Sequence, residues 1–319
     1  MPAPASITWS SSDAAAQCDV RIDVETFGEP LAVRLADTAN APLSGETKLY
    51  WLGQAGFVID CAGLRMLIDP YLSDTLAAKY RGTRYPHERM MAAPLVPAEL
   101  ERLDFVFCTH RHTDHMDPGT LQPLAARFPA LRFVVPAASL DEAQKRCGVG
   151  VERLIPVQAD VTVQLHARCS LTPIASAHES LDVDEAGLHP WLGYVIDVDG
   201  VRLYHSGDCV PYPALAERVR RQRPDLALLP VNGRDEARSG NGVPGNFTLD
   251  EAIALTKAAG VPAMIAHHYG LFDFNTIEPC MVEARIDAER DALTMFRAQT
   301  QHAWRLAREA ASSSPSRGG

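Results

Sequence analysis

Apolar positions along this chain come in short bursts, some with a period near two and others near 3.6. The pattern sharpens at Lys48. Leu49-Tyr50-Trp51-Leu52 runs to Gly53, and Phe57-Val58-Ile59-Asp60 reads as a strand. Gly63 turns the chain, and Leu64 to Asp69 returns as a second strand, a hairpin closed by Asp69-Pro70. Residues 74–100 are broken by charges and by Tyr80, Tyr85, Pro86 and Pro94, which predicts a loop with short helical pieces. Leu103 to Cys108 is a buried strand, followed by a helix at 119–128, a strand from Leu131 to Val135, and a helix at 139–147 capped by Gly148. Strands follow near 152–157, 161–167 and 169–175. Then comes a hairpin, Trp191 to Asp197 and Val201 to His205, turning at Asp199-Gly200. A helix at 213–222 precedes the strand Leu226 to Val231, a glycine-rich loop at 232–247, a helix at 249–259 ended by Gly260, a buried strand from Pro262 to Ala266, and a long helix over 281–299.

Hairpins mixed with strand–helix units predict an α/β fold of two sheets with helices outside. With no internal repeat and no linker-like break, residues 47–306 form one domain. Residues 1–46, weakly periodic and rich in Ala, Ser, Asp and Thr, read as a partly irregular extension packed on its surface. Residues 307–319, ending in Ser312-Ser313-Ser314-Pro315-Ser316-Arg317-Gly318-Gly319, read as a disordered tail.

Composition narrows the partners. The 319 residues are 46% hydrophobic, enough for a large core, and carry a net charge of −10. That balance argues against a nucleic-acid or anionic membrane surface; the expected partner is a small-molecule substrate. Seven scattered cysteines, none in a C-x-x-C pair, point to a reducing cytoplasm rather than a disulfide framework. The start, Met-Pro-Ala-Pro-Ala-Ser, shows no signal-peptide pattern, and no apolar run approaches the length of a membrane span. A homo-oligomer stays open.

The chemistry concentrates in Cys108-Thr109-His110-Arg111-His112-Thr113-Asp114-His115-Met116-Asp117. His110, His112, Asp114 and His115 fall within six positions between a strand and a helix. In an extended segment, residues i and i+2 point the same way, so His110 and His112 can grip one ion together. Where the chain turns into the helix, Asp114 and His115 swing toward a second point. Neutral imidazoles with a carboxylate suit zinc and similar divalent ions.

This H-x-H-x-D-H string resembles the signature of the metallo-β-lactamase superfamily. The resemblance implies an αββα four-layer sandwich and a dinuclear metal centre whose remaining ligands come from later strand ends. It implies His178, after Thr172-Pro173-Ile174-Ala175-Ser176-Ala177, as the third ligand beside His110 and His112. It implies Asp208, in Tyr204-His205-Ser206-Gly207-Asp208, as the carboxylate between two metals, with His205 left without a role and Cys209 read as a small buried residue. It implies His268, directly before Tyr269-Gly270, as the partner of Asp114 and His115, with its strand neighbour His267 as runner-up. The ending Leu67-Ile68-Asp69-Pro70 is similar to the superfamily's first motif, in which the Asp supports a ligand histidine.

Within the superfamily, Trp51-Leu52-Gly53-Gln54-Ala55-Gly56, the Tyr204–Asp208 string, Pro230-Val231-Asn232-Gly233-Arg234 and His268 resemble the ascorbate-6-phosphate lactonase-like branch. The expected activity is metal-dependent hydrolysis, with hydroxide from a water shared by two divalent ions attacking the carbonyl of an ester or lactone. Asp114 and Asp208 are the catalytic carboxylates, and Asp114 also moves a proton to the leaving oxygen. Asn232 and Arg234 are expected to orient substrate. Zinc leads, and manganese or iron is the alternative. A phosphodiesterase using the same ions and a non-hydrolytic metal or redox protein are the competing readings.

Overall fold

The structure, a computed structural model, describes residues 20–61 and 63–308. Its first half runs β1 (Val20–Thr26), α1 (Leu31–Ala36), β2 (Glu46–Gly53), β3 (Gly56–Cys61), β4 (Leu64–Ile68), α2 (Thr75–Lys79), β5 (Phe105–Phe107), α3 (Pro118–Arg127), β6 (Arg132–Pro136), α4 (Leu140–Cys147) and β7 (Leu154–Val157). Its second runs β8 (Val163–His166), β9 (Cys169–Ala175), β10 (Leu192–Val198), β11 (Val201–His205), α5 (Leu215–Gln222), β12 (Leu226–Pro230), α6 (Glu236–Ser239), α7 (Leu249–Ala259), β13 (Ala263–His267), α8 (Pro279–Glu289), β14 (Thr294–Arg297) and β15 (His302–Arg308).

These strands form an eight-stranded sheet, β1-β15-β2-β3-β4-β5-β6-β7, and a seven-stranded sheet, β14-β13-β12-β11-β10-β9-β8. In each, antiparallel hairpins give way to parallel strands: β4 to β7 in the first, β11 to β14 in the second. Period-two alternation explains the layering. Phe57, Ile59, Met66, Ile68, Phe105 and Phe107 face a core shared with Ile174, Tyr194, Ile196, Leu203 and Leu228 of the second sheet. Val58, Leu67 and Val106, on the other side of the same strands, meet Leu121 and Leu124 of α3 and Ala143 of α4. Strands buried on both faces read as unbroken apolar runs, as these do. The result is a four-layer αββα sandwich.

The local signals hold where they are strongest. Gly148 and Gly260 end α4 and α7 in the left-handed conformation, at φ 65° and 68°. Asp199 and Gly200 turn the β10–β11 hairpin at φ 53° and 83°, the twist a two-residue hairpin turn requires.

Both chain ends depart from expectation. The helix predicted over 281–299 stops at Glu289, and residues 294–297 and 302–308 are strands. Met295 sits between an exposed Thr294 and a half-buried Phe296, a short alternation hidden beside a run of good helix formers. Its strand is stabilised by parallel pairing with β13, a partner distant in sequence. At the front, residues 20–26 are an edge strand rather than irregular chain. Only Val20 of β1 is buried, so no apolar pattern announces a strand whose stability comes from seven backbone pairings with β15. Ala307 and Arg308 lie in β15, and the rest of the expected tail is outside the described residues, as are residues 1–19. No helix of the described residues is long and apolar enough to cross a membrane.

Candidate metal centre

Five strand ends converge on one point between the sheets: those of β4, β5, β9, β11 and β13. Asp69, one residue past β4, is fully buried and left-handed at φ 44°. Its Oδ1 accepts from Thr109 N at 2.8 Å, and its Oδ2 accepts from Thr109 Oγ1 at 2.6 Å and from His115 Nδ1 at 2.7 Å. The loop after β5 is thereby pinned before it turns into α3. Within it, the amides of His115 and Met116 donate to His112 O, one helical turn that throws His115 across from His110 and His112.

The other ends bring the rest. Ser176 Oγ donates to Ser206 O at 2.6 Å, and Val210 N donates to Ala177 O at 2.7 Å, so the end of β9 is laced to the end of β11. His178 and Asp208 come side by side. Gly207 makes that approach possible: at φ 59°, a Cβ there would lie 2.8 Å from Leu192 O and 2.9 Å from Thr109 Cβ. His268 follows β13 in the left-handed conformation, at φ 65°, with its ring centroid 6.5 Å from that of His267.

Two groups result. His110, His112, His178 and Asp208 each offer a ligand atom, all within 4.8 Å of one another, and so do Asp114, His115 and His268. His178 Nε2 is 3.0 Å from His112 Nδ1 and 3.6 Å from Asp208 Oδ2. The other oxygen, Asp208 Oδ1, is 3.3 Å from His115 Nε2 and 3.1 Å from His268 Nε2. Asp208 thus turns one oxygen toward each group. Spacings near 3.3 Å are about what two nitrogens sharing a tetrahedral zinc at ~2.0 Å require.

Electrostatics agree with a cation here. Burial alone would raise the Asp208 carboxyl, but His115 and His268 beside it hold it well below the usual carboxylate range. Asp114 is likewise opposed by burial and lowered by His115. Burial, reinforced by His115 and His112, drives His110 far below its ordinary value, and burial with His178 takes His112 down to about 4. Burial would also lower His115, but Asp208, Asp69 and Asp114 raise it well above. His110 and His112 are thus held neutral, the form that divalent ions bind, whereas His115 would give up a proton to an arriving ion. His110 Nε2, His115 Nε2, His268 Nε2 and Asp208 Oδ1 are buried without a hydrogen-bond partner. Leaving such atoms unmatched costs about 1–3 kcal/mol each, and a pair of divalent cations would satisfy all four, so the donor set fits the group.

Supporting residues went unassigned in the sequence. Gln54, buried at φ 49°, donates from Nε2 to Asp114 Oδ2 at 3.0 Å, and its carbonyl accepts from His268 N and Trp51 Nε1, both at 3.0 Å. Trp191 sits edge-on to His110, His178 and, more tilted, His112, with centroids 4.9–5.1 Å away. The available signals were the Trp51–Gly56 string and a lone Trp closing a polar stretch. His205 is structural: Nε2 donates to Ala55 O at 2.9 Å, and Nδ1 accepts from Gly207 N. His267 stacks on His205 at 5.0 Å, away from both groups. Cys209 is buried, its thiol pushed up to about 12 by burial.

A cavity of about 670 Å³ opens over His112, Asp114, His178, Asp208 and His268, a size suited to a small molecule. Asn232 and Arg234 do not line it. Asn232 is buried behind Asn275, donating to its Oδ1 at 2.7 Å. The Arg234 fork is bidentate on Glu251 at 2.6 and 2.7 Å, fixing the loop to the N-terminus of α7. A planar cation near a helix N-terminal Glu finds that partner first.

Residues 64–269 match the β-lactamase superfamily domain model. The chain is 30% identical over 256 residues to a UPF0173 metal-dependent hydrolase of Myxococcus xanthus, covering 77% of this chain and 79% of that protein. In structure it is similar to Igni18, a metallo hydrolase of Ignicoccus hospitalis, with TM-score 0.59 and 20% identity over 81% of this chain and 98% of that one. It is also similar to an isothiocyanate hydrolase from Delia radicum gut bacteria, with TM-score 0.63 and 19% identity over 80% and 97%. With its fold and strand-end histidines, the matched domain makes this chain a metal-dependent hydrolase of the metallo-β-lactamase superfamily.

Proposed function

We propose that this centre binds two divalent ions and hydrolyses a small-molecule ester or lactone. The observation that carries the reading is Asp208, whose two oxygens face separate ligand groups 3.1–3.6 Å away. His110, His112 and His178 would hold one ion and Asp114, His115 and His268 the other, with Asp208 between. When bound, such ions acidify a water and polarise a carbonyl.

The chain's residues do the rest. Asp69 keeps a proton on His115 Nδ1 and so presents Nε2 as the donor atom. Gln54 fixes one oxygen of Asp114, while the side chain stays 18% exposed and lines the cavity. Asp114 therefore meets both the ligand group and a bound substrate, and it carries the proton to the leaving oxygen. Trp191 keeps bulk water from the rings of His110, His112 and His178. The likeness of the Trp51–Gly56 and Tyr204–Asp208 strings to ascorbate-6-phosphate lactonase-like proteins favours a lactone. Zinc suits the histidine-rich set, with manganese or iron as the alternative.

The experiment is a side-by-side assay of zinc-, manganese- and iron-loaded protein on a lactone panel and on bis-p-nitrophenyl phosphate, with metal content measured on the same samples. Metal-dependent lactone opening is the expected result. Phosphodiester turnover with inert lactones reverses the substrate assignment, and equal rates in metal-depleted protein overturn the mechanism.

A further inference from the structure

One wall of the cavity is aromatic and its mouth is cationic, and neither feature is needed to hold metal. Tyr80, Tyr85, His87 and Phe272 line the same side. Tyr80 and His87 stack at 4.4 Å, and Tyr85 lies 4.6 Å from Phe274, which stacks in turn on Phe272. The rings are held in place beforehand. Met90 N donates to Leu271 O at 2.8 Å, tying the two loops together, and His87 Nδ1 bonds Tyr85 O at 2.6 Å. His87 is also left-handed, at φ 55°, a conformation the surrounding contacts must enforce.

Lys79, Arg84 and Arg111 line the same cavity. Each lies over a ring: Lys79 4.8 Å from Tyr80, Arg84 5.4 Å from Tyr85 and Arg111 5.8 Å from Trp191. None of the three is in an ion pair among the described residues, and Arg111 acts on Glu142 only from a distance. Arg146, also at the cavity, is already matched by Glu142. Three cations outside any ion pair at one opening stand out in a chain of net charge −10. With Asp114 and Asp208 turned to the ligand groups, the mouth has charge to offer only to an anion.

We propose that this wall and mouth form the specificity subsite for an aromatic anion: a planar ring that packs against the edges of the aromatic wall and carries a carboxylate, sulfonate or phosphate toward Lys79, Arg84 and Arg111. The proposal rests on the hydrolytic reading for its meaning as a substrate site, because it places the ring beside the bond to be cut. Fixed rings lose little freedom on binding, and face or edge contact with a second ring adds to the area buried. The cations add attraction that salt screens.

Calorimetric titration of the metal-loaded full chain tests it without relying on turnover. The probes are benzenesulfonate, cyclohexanesulfonate and methyl phenyl sulfone, which match in size and coordinate metal poorly. Benzenesulfonate should bind about fivefold more tightly than its saturated counterpart, and about tenfold more tightly than the neutral sulfone, the second ratio shrinking in high salt. Tyr85→Leu should reduce the first ratio and Arg84→Gln the second. Equal binding of benzenesulfonate and cyclohexanesulfonate overturns the proposal. So does equal binding of benzenesulfonate and the sulfone, or no binding of any probe. Selective binding by a protein that opens no ester or lactone supports the subsite and sinks the hydrolytic reading, whereas ester turnover without selectivity does the reverse.

Discussion

His115 Nδ1 donates to Asp69 Oδ2 across 2.7 Å, inside a pocket closed to solvent, and the pair sets which nitrogen His115 turns toward Asp208. Asp69→Asn keeps the shape but leaves His115 free to swap tautomers. Metal affinity should fall about 10–100-fold. Competition against a fluorescent zinc chelator measures it, and an unchanged affinity would mean that the carboxylate only shapes the loop.

Gln54 ties Asp114 to the strand end that carries His268. Gln54→Leu removes the amide and frees the Asp114 carboxylate to rotate. The expected effect is a fall in kcat of about tenfold with little change in KM, because a misplaced proton carrier hurts the transition state more than binding. A rise in KM alone would assign Gln54 to substrate contact instead.

Gly207 has no room for a side chain. Gly207→Ala would press its methyl group against Leu192 O and Thr109 and strain a left-handed backbone. A loss of about 2–3 kcal/mol is expected from overpacking and strain together. Urea unfolding of metal-free protein reads it out, and a midpoint within error of the parent would show that the strand ends can separate without cost.

Arg234 provides the opposite kind of test. Its fork is on Glu251, partly exposed, so Arg234→Gln should cost about 0.5–1 kcal/mol of stability. KM should move less than twofold on any substrate of the parent. A large KM change would restore the substrate-orienting role that the residue's position after β12 first suggests.

Acid sensitivity follows from His112. Burial, aided by His178, takes it to about 4, below its ordinary 6.5. Between those values the unfolded chain binds a proton that the folded chain does not, so stability rises with pH through that window and is lost as pH falls through it. His110, lowered by burial and His115, acts in the same direction, while the raised His115 is protonated in both states below about 6.5 and loses its stabilising contribution only as pH rises above that window. Metal-free protein should weaken from pH 6.5 to 4 with a slope of up to about 1.4 kcal/mol per unit for each proton. His112→Gln should flatten that slope. A denaturation midpoint independent of pH in this range would contradict it.

Much of the centre is legible in the chain because strand ends are local events. Cys108 to Asp117 carries its own turn, and small residues before Asp208 announce a close approach. What the chain conceals is non-local. Nothing near Arg234 says that Glu251, one turn into a helix 15 residues on, will take its guanidinium. Gln54 shows its role only when Asp114 and His268 arrive from other strands. β14 and β15 were hidden for the same reason: their partners, β13 and β2, lie far back in the sequence, and the intervening residues favour a helix when read alone.

β15 lies between β1 and β2, pairing Val20 with Arg308 at one border and Tyr50 with Ala303 at the other. A nascent chain leaving the ribosome therefore carries β2 with a raw edge until β15 emerges. The first sheet is sealed late, over a span that makes its closure slow relative to the local hairpins. During synthesis that open border is where a second nascent chain would add in register, so the fold's exposure to aggregation lasts until β15 has paired.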